Sequence, residues 1–180
     1  MAPVGVVLAA GRGRRYGGPK AFVRTDSGET WLERTCRVLL DGGCGSVLAT
    51  LPAGSDDPGL AGVSAVPLAT EGLSDSLAGA LESLEPDRPA VVMLVDLPDV
   101  TAAVVRRVLG AVDTEDPAVL ARATYDGRPG HPVVIGPAHL GPLRADLAGD
   151  SGANAYLRAH GAAQVECGDL ATGEDVDRPR

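Results

Sequence analysis

Aromatic residues are scarce in this chain: Tyr16, Phe22, Trp31, Tyr125 and Tyr156 are the five among 180 residues. A core must therefore be packed closely from Ala, Val and Leu, and a base-stacking platform for single-stranded nucleic acid has too few rings to be built. Cysteine is rarer still. Cys36, Cys44 and Cys167 are odd in number and lack C-x-x-C spacing, which argues against a disulfide framework or a zinc site and for a reducing compartment. No apolar run approaches membrane-spanning length. The apolar start, Met1–Ala10, has no basic n-region and runs straight into glycines and arginines, so it does not read as a signal peptide, and a cytoplasmic protein is expected. Lysine is absent except at Lys20, the remaining 16 − 1 = 15 basic residues being arginine.

What is present suits one globular domain over residues 1–180, with 44% hydrophobic and 22% charged residues. The formal charge of 16 − 24 = −8 argues against a broad nucleic-acid or anionic-membrane surface, while a local basic cluster can still serve a small phosphorylated ligand. Short apolar runs at Val4–Ala9, Val47–Leu51 and Ala90–Val95 read as strands buried on both faces. Helical stretches follow at about Thr30–Leu40, Ser74–Leu84 and Thr101–Val112, each opened by a residue able to cap, with Thr30 and Glu33 in a capping-box pattern. This alternation predicts an α/β sheet with right-handed crossovers. Beyond it, strands at Ala118–Thr124 and Pro132–Ile135 are joined by the turn-rich 125–130 segment, read as a hairpin or loop inserted at the sheet edge. Helices at His139–Leu147 and Ala153–Ala159 and a strand at Ala163–Cys167 complete the pattern, with a frayed, mobile tail expected from Gly168.

Chemistry concentrates in two places. Leu8-Ala-Ala-Gly11-Arg-Gly13-Arg-Arg15-Tyr-Gly17-Gly-Pro-Lys20 follows the first strand. Glycines let backbone N–H groups approach an anion, and Arg12, Arg14, Arg15 and Lys20 concentrate positive charge in an acidic chain; a tight turn with solvated arginines is the alternative. The single lysine favours a point charge for phosphate at this position. Neither familiar phosphate loop fits. Gly11, Gly13 and Gly17 read G-x-G-x-x-x-G, one residue too long for the dinucleotide fingerprint, while Pro19 interrupts a P-loop pattern and Ala21 replaces its magnesium-holding hydroxyl. The second place is Asp96, at the C-terminal end of the third strand, where open α/β sheets bind ligands and where a carboxylate can hold Mg²⁺. A helix-capping or turn role fits Asp99 better than Asp96.

Six segments in order resemble the molybdenum-cofactor nucleotidyltransferase family, in its cytidylyltransferase-like (MocA/MobA-type) branch, over about Val4 to Pro179. They are Leu8–Lys20, Gly72-Leu-Ser74-Asp-Ser76-Leu77, Asp96-Leu-Pro98, Gly127-Arg-Pro-Gly130-His131-Pro132, Gly149-Asp-Ser-Gly152-Ala153 and Asp175-Val-Asp177-Arg-Pro179. The resemblance implies a single-domain Rossmann-like α/β fold of the sugar-nucleotidyltransferase, GT-A-like type with a mostly parallel sheet. It implies that Leu8, Ala9, Ala10, Gly11, Arg12 and Gly13 bind the nucleotide beside Ser74 and Ser76, and that Arg15 and Lys20 hold the triphosphate. Asp96 would coordinate Mg²⁺, with Asp175 or Asp177 completing the metal site, and Gly130, His131 and Pro132 would meet the acceptor. The reaction implied is transfer of CMP from CTP to molybdopterin with release of pyrophosphate, with passing contact to a molybdoenzyme or its chaperone. GTP or ATP with another acceptor such as a sugar phosphate, and a non-catalytic nucleotide-binding module, are the alternatives; a dinucleotide-binding oxidoreductase is disfavoured by the glycine spacing. The pattern is departed from at Leu73 (commonly Met), Asn154 (commonly Arg) and Arg178 (commonly Thr), changes that bear on acceptor and base. His131 is read as shaping the acceptor pocket, since an ionised phosphate acceptor leaves a general base little to remove. His139 and His160 are read as surface residues, Cys36 as core and Cys44 as a turn residue.

Overall fold

The computed structural model describes residues 1–11, 13, 16–69, 72–147 and 153–176. Among them, seven strands form one sheet: β1 (Val4–Leu8), β2 (Ser46–Pro52), β3 (Val63–Leu68), β4 (Ala90–Leu94), β5 (Leu120–Tyr125), β6 (Arg128–Ile135) and β7 (Ala163–Glu166). Their lateral order is β3-β2-β1-β4-β6-β5-β7. Only β6 runs against the rest, pairing antiparallel with β4 on one side and β5 on the other. The predicted mostly parallel α/β architecture is what the chain adopts.

Side-chain alternation along the strands builds a core on each face. Val7, Val91, Met93 and Val134 pack on one side with helices α1 (Trp31–Gly42) and α3 (Ala102–Gly110). Val6, Leu8, Val92 and Val133 pack on the other with α2 (Leu73–Glu82), α4 (Pro137–Leu147) and α5 (Ala153–Ala159). Helix α1 starts where its capping box predicts: Thr30 Oγ1 accepts from the Glu33 N–H, and the Glu33 carboxylate accepts from the Thr30 N–H. The other two predicted caps differ. Helix α2 begins at Leu73 behind Gly72, and Thr101 precedes α3 without a capping bond from its side chain.

Three sequence expectations give way. Strand β3 adds to the predicted set; its residues are only partly buried and Pro67 interrupts the pattern that would announce it. The terminal place of β3 in the sheet is what tolerates a proline. The 125–130 segment does form a hairpin turn, with Asp126 (φ 50°) and Gly127 (φ 74°) both left-handed as a two-residue primed turn needs. That hairpin is not at the edge, however: β6 inserts between β4 and β5, and β7 closes the sheet. Finally, the segment expected to fray packs down through residue 176, with Leu170, Ala171 and Val176 against the first core.

Candidate active site

Strand β1 feeds the glycine-rich loop at its C-terminal end. Ala9 and Ala10 are buried, and the loop's departure is fixed by Thr50 on the neighbouring β2, whose Oγ1 accepts from the Ala9 N–H at 3.1 Å and donates to the Val7 carbonyl at 3.3 Å. Gly13 then turns the chain. Its φ of 56° is left-handed, and its carbonyl accepts from the N–H groups of Tyr16, Gly17 and Gly18 at 2.8, 3.0 and 3.2 Å. A side chain has no room there, since a Cβ would stand 1.8 Å from the Gly18 carbonyl oxygen. After Pro19, a 3-10 turn over Lys20–Phe22 carries the lysine back toward the sheet.

Asp96 lies two residues past the end of β4, the parallel neighbour of β1. The Val95 N–H donates to the Leu8 carbonyl at 3.4 Å, tying the two strand ends together. Lys20 Nζ donates to Asp96 Oδ2 at 2.8 Å, with both side chains about 85% buried. Residues 76 positions apart are thereby joined at the sheet's C-terminal edge, where the open α/β sheet leaves a crevice. The turn carrying Asp96 is held from behind by α1: Arg34 donates to the carbonyls of Leu97 (3.4 Å) and Val100 (3.2 Å), and Thr35 Oγ1 reaches the Val95 carbonyl at 3.4 Å. It is held from the front by the C-terminal segment, whose Val176 N–H donates to the Asp96 carbonyl at 3.1 Å. Asp99 does not cap the helix as its position suggests. Its Oδ2 accepts from the Thr172 N–H and hydroxyl, pinning that same segment, while its Oδ1 is buried without a donor among the described residues.

Helix α2 starts beside the crevice. Ser74 lines a cavity of about 250 Å³. Ser76 is buried with its hydroxyl on the Gly72 carbonyl at 3.0 Å, so it serves the first turn of the helix. Leu8, Leu77, Val133 and Leu143 give the cavity apolar walls, and His131, Arg122 and Asn154 give it a polar portion. Gly130 and Pro132 flank His131 within β6 rather than in a loop, with the Tyr125 hydroxyl donating to the His131 carbonyl at 2.6 Å. Burial, with the Arg122 cation adding to it, pulls the His131 imidazole down to about 4, so the ring is neutral at physiological pH. The turn that leads into this strand is anchored by Glu166, which accepts from Thr124 Oγ1 and from the N–H groups of Gly168, Gly127 and Asp126. Those bonds hold its carboxyl down at about 2.

The structure thus brings Lys20 and Asp96 together at the end of the glycine-rich loop and sets Ser74 and His131 on one cavity. Arg12, Arg15 and Asp177 lie outside the described residues. Among the described residues no three acidic, histidine or cysteine side chains converge on a point. Asp175 is exposed, one residue from the Val176 bond to the Asp96 turn. His139 is more than a surface residue: its ring nitrogens bridge Tyr156 Oη (2.8 Å) and the Ala118 carbonyl (3.2 Å).

A family model for the MobA-like NTP transferase domain matches residues 5–165. The chain belongs to this family. A curated relative, nicotine blue oxidoreductase of Paenarthrobacter nicotinovorans, is 30% identical over 96% of this chain and 91% of its own. Among solved structures, Rv0371c of Mycobacterium tuberculosis H37Rv in complex with manganese is 27% identical with a TM-score of 0.69, covering 98% of this chain and 94% of that one. The 2-C-methyl-D-erythritol 4-phosphate cytidylyltransferase of Thermus thermophilus, 24% identical over 97% of this chain and 92% of that one, shares the fold with a TM-score of 0.70. This MobA-like chain is accordingly a nucleotidyltransferase in fold and family. No helix among its described residues is long and apolar enough to cross a membrane.

Sequence reasoning missed Arg122, Glu166, Arg34 and Thr35. Arg122 and Thr35 sit inside stretches that read as ordinary strand and helix, and only burial of a charged or polar side chain marks them. Glu166 falls inside the predicted Ala163–Cys167 strand, where nothing in spacing announces four donors converging on it.

Proposed function

We propose that this MobA-like transferase moves CMP from CTP to the phosphate of a molybdopterin-type acceptor, releasing pyrophosphate. The observation that supports this most is the 2.8 Å Lys20–Asp96 pair at the joined ends of β1 and β4. A cation and an anion, each about 85% buried, neutralise one another where a nucleoside triphosphate and its counter-ion would sit, and each is the right type to exchange its partner for one of them. Mg²⁺ fits Asp96, a hard oxygen donor of the kind that binds this ion jointly with substrate phosphates, and Asp175 or Asp177 would join it from the segment bonded to the Asp96 turn. When bound, the ion would offset negative charge on the phosphate oxygens.

In the reaction an acceptor phosphate oxygen forms a bond to the α-phosphorus as the bond to the bridging oxygen of pyrophosphate breaks, with no protein covalent intermediate. The Lys20 ammonium, with Arg15 and N–H groups of the glycine-rich loop, neutralises charge on the leaving oxygens. Ser74 contacts the nucleotide, and Gly130, neutral His131 and Pro132 shape the acceptor side. His131, with a pKa near 4, takes no proton from an acceptor that is already ionised. Thermal unfolding with CTP, GTP, ATP and UTP, each with and without Mg²⁺, tests the donor. A ligand at a hundredfold its Kd stabilises by about 2.7 kcal/mol, and the shift is expected to be largest for CTP and to need Mg²⁺. Pyrophosphate release on adding molybdopterin then tests the acceptor.

A second reading is favoured by the oxidoreductase name of the 30% identical relative. It makes the same crevice a redox site for a nicotinamide cofactor, against which the overlong glycine spacing stands. NADH belongs in the same unfolding series. Stabilisation by NADH and by no nucleoside triphosphate would replace the transferase reading.

A further inference from the structure

Arg122, on β5, is only 8% exposed, and no carboxylate among the described residues accepts a hydrogen bond from it. Its Nη1 donates to Asn154 Oδ1 at 2.9 Å and its Nη2 to the Gly130 carbonyl at 3.2 Å. Both partners are neutral. Its Nε–H is buried with no acceptor among the described residues. A guanidinium has five N–H donors and stays charged in proteins, so two are used here and about three remain. An isolated buried charge is costly to keep unless something of opposite sign comes to meet it. Nearby His131 cannot be that partner, because it carries no negative charge in either protonation state.

The surroundings say where the missing anion would arrive. Arg122 and Asn154 line two cavities at once: the apolar-walled one of about 250 Å³ that reaches Ser74 and His131, and a neighbouring one of about 490 Å³ that also holds Arg158 and Gln164. Two arginines thus face space with no acidic side chain among the described residues lining it. The Lys20–Asp96 pair is internally neutral, whereas among the described residues no carboxylate offsets the positive charge of this region.

We propose that Arg122, aimed by Asn154 and the Gly130 carbonyl, receives an anionic group of the acceptor, a phosphate or a carboxylate, and selects acceptors that carry one. The word acceptor rests on the transferase reading; the anion site does not. The fork geometry of arginine suits either planar carboxylate or phosphate oxygens.

The test is thermal unfolding of the full chain at about pH 7.5, where the guanidinium is charged, in inorganic phosphate, in succinate, and in chloride at matched ionic strength. It uses wild type, Lys20→Ala, Arg122→Gln and Arg122→Lys. Phosphate, succinate or both are expected to raise the unfolding temperature of wild type and of Lys20→Ala alike, with no rise in Arg122→Gln and less than half the rise in Arg122→Lys. The stronger anion identifies the group. Without added anion, Arg122→Gln is expected to unfold no earlier than wild type, since it removes an unpaired buried charge. A wild-type-sized anion shift in either Arg122 variant, or no shift in wild type with either anion, overturns the proposal. Arg122→Lys keeps the test decisive if Arg122→Gln does not fold. In turnover, Arg122→Gln is expected to raise KM for the acceptor at least tenfold while leaving KM for CTP unchanged. Absence of any nucleotidyl transfer by wild type, with the anion shift intact, would refute the transferase reading and leave the anion site standing.

Discussion

Replacing Lys20 by methionine removes the ammonium but keeps most of the stem, and leaves Asp96 at the crevice without the donor 2.8 Å away. At an effective dielectric of about 20 the gross attraction of such a pair is roughly 6 kcal/mol. Desolvation of two groups that are 14% and 15% exposed offsets most of it. The pair lies between the surface case, worth about 0–1 kcal/mol, and the fully buried case, where removing one partner costs about 3–5 kcal/mol. A loss of about 1–3 kcal/mol is therefore expected for Lys20→Met. In a domain of 180 residues each kcal/mol shifts Tm by about 2–4 °C. Asp96→Asn should cost a similar amount, and the double variant should recover part of it, because neither member of this pair is then left facing the other's absence. Turnover should follow a different rule. All three variants are expected to lose orders of magnitude in kcat, since the double variant removes both charges without restoring the substrate contacts proposed for the two groups. Urea unfolding and pyrophosphate release on the same four proteins separate the two effects. Additive stability losses in the double variant would refute the pair as a coupled unit, and near-normal turnover in Lys20→Met would refute its role toward the triphosphate.

Two other outcomes follow from buried titratable groups. The unfolded chain holds His131 near its ordinary value of about 6.5, while the folded chain holds it at about 4; between these the unfolded state binds more protons, so stability falls as pH falls through that window, by up to about 1.4 kcal/mol per unit. Glu166, depressed to about 2, loses its contribution only below its ordinary carboxylate range. Urea midpoints between about pH 6.5 and 5 thus report His131, and His131→Gln should reduce the slope; an unchanged slope would contradict the burial argument. The Cys36 and Cys44 thiols, pushed up to about 12 by burial, and the buried Cys167 should resist iodoacetamide at about pH 7.5 in the native protein and react in roughly 6 M guanidinium, which unfolds ordinary domains. Stoichiometric native labelling, read by mass spectrometry, would show that the cores open.

Local signals reached far in this chain. The apolar runs at β1, β2 and β4, the Thr30 capping box and the Asp126–Gly127 turn are each decided within a few residues, because burial on both sheet faces, N-terminal N–H groups and a left-handed turn all demand particular side chains at fixed spacing. Lys20 and Asp96 stand out for the same reason: one is the sole lysine, in a glycine-rich loop, and the other ends an apolar strand. Lateral order is beyond such signals. Nothing in Val133, Val134 and Ile135 distinguishes a strand inserted between β4 and β5 from one at an edge, since both present apolar faces to helices. Strand β3 is hidden by Pro67, which only its terminal position accommodates.

Charge balance at a distance needs the fold as well. Asn154 looks like the simple loss of an arginine. The tertiary structure sets its amide oxygen against Arg122, 32 residues earlier, so the region keeps a cation supplied from a different element. The C-terminal segment reads as polar tail until Thr172 meets Asp99 and Val176 meets the Asp96 carbonyl. The residues determined by themselves which stretches form strand, helix and glycine-rich turn, because those choices are settled by neighbours in the chain. Only the tertiary structure decided which charges face one another and which is left unanswered, because that depends on groups brought together across the whole sheet.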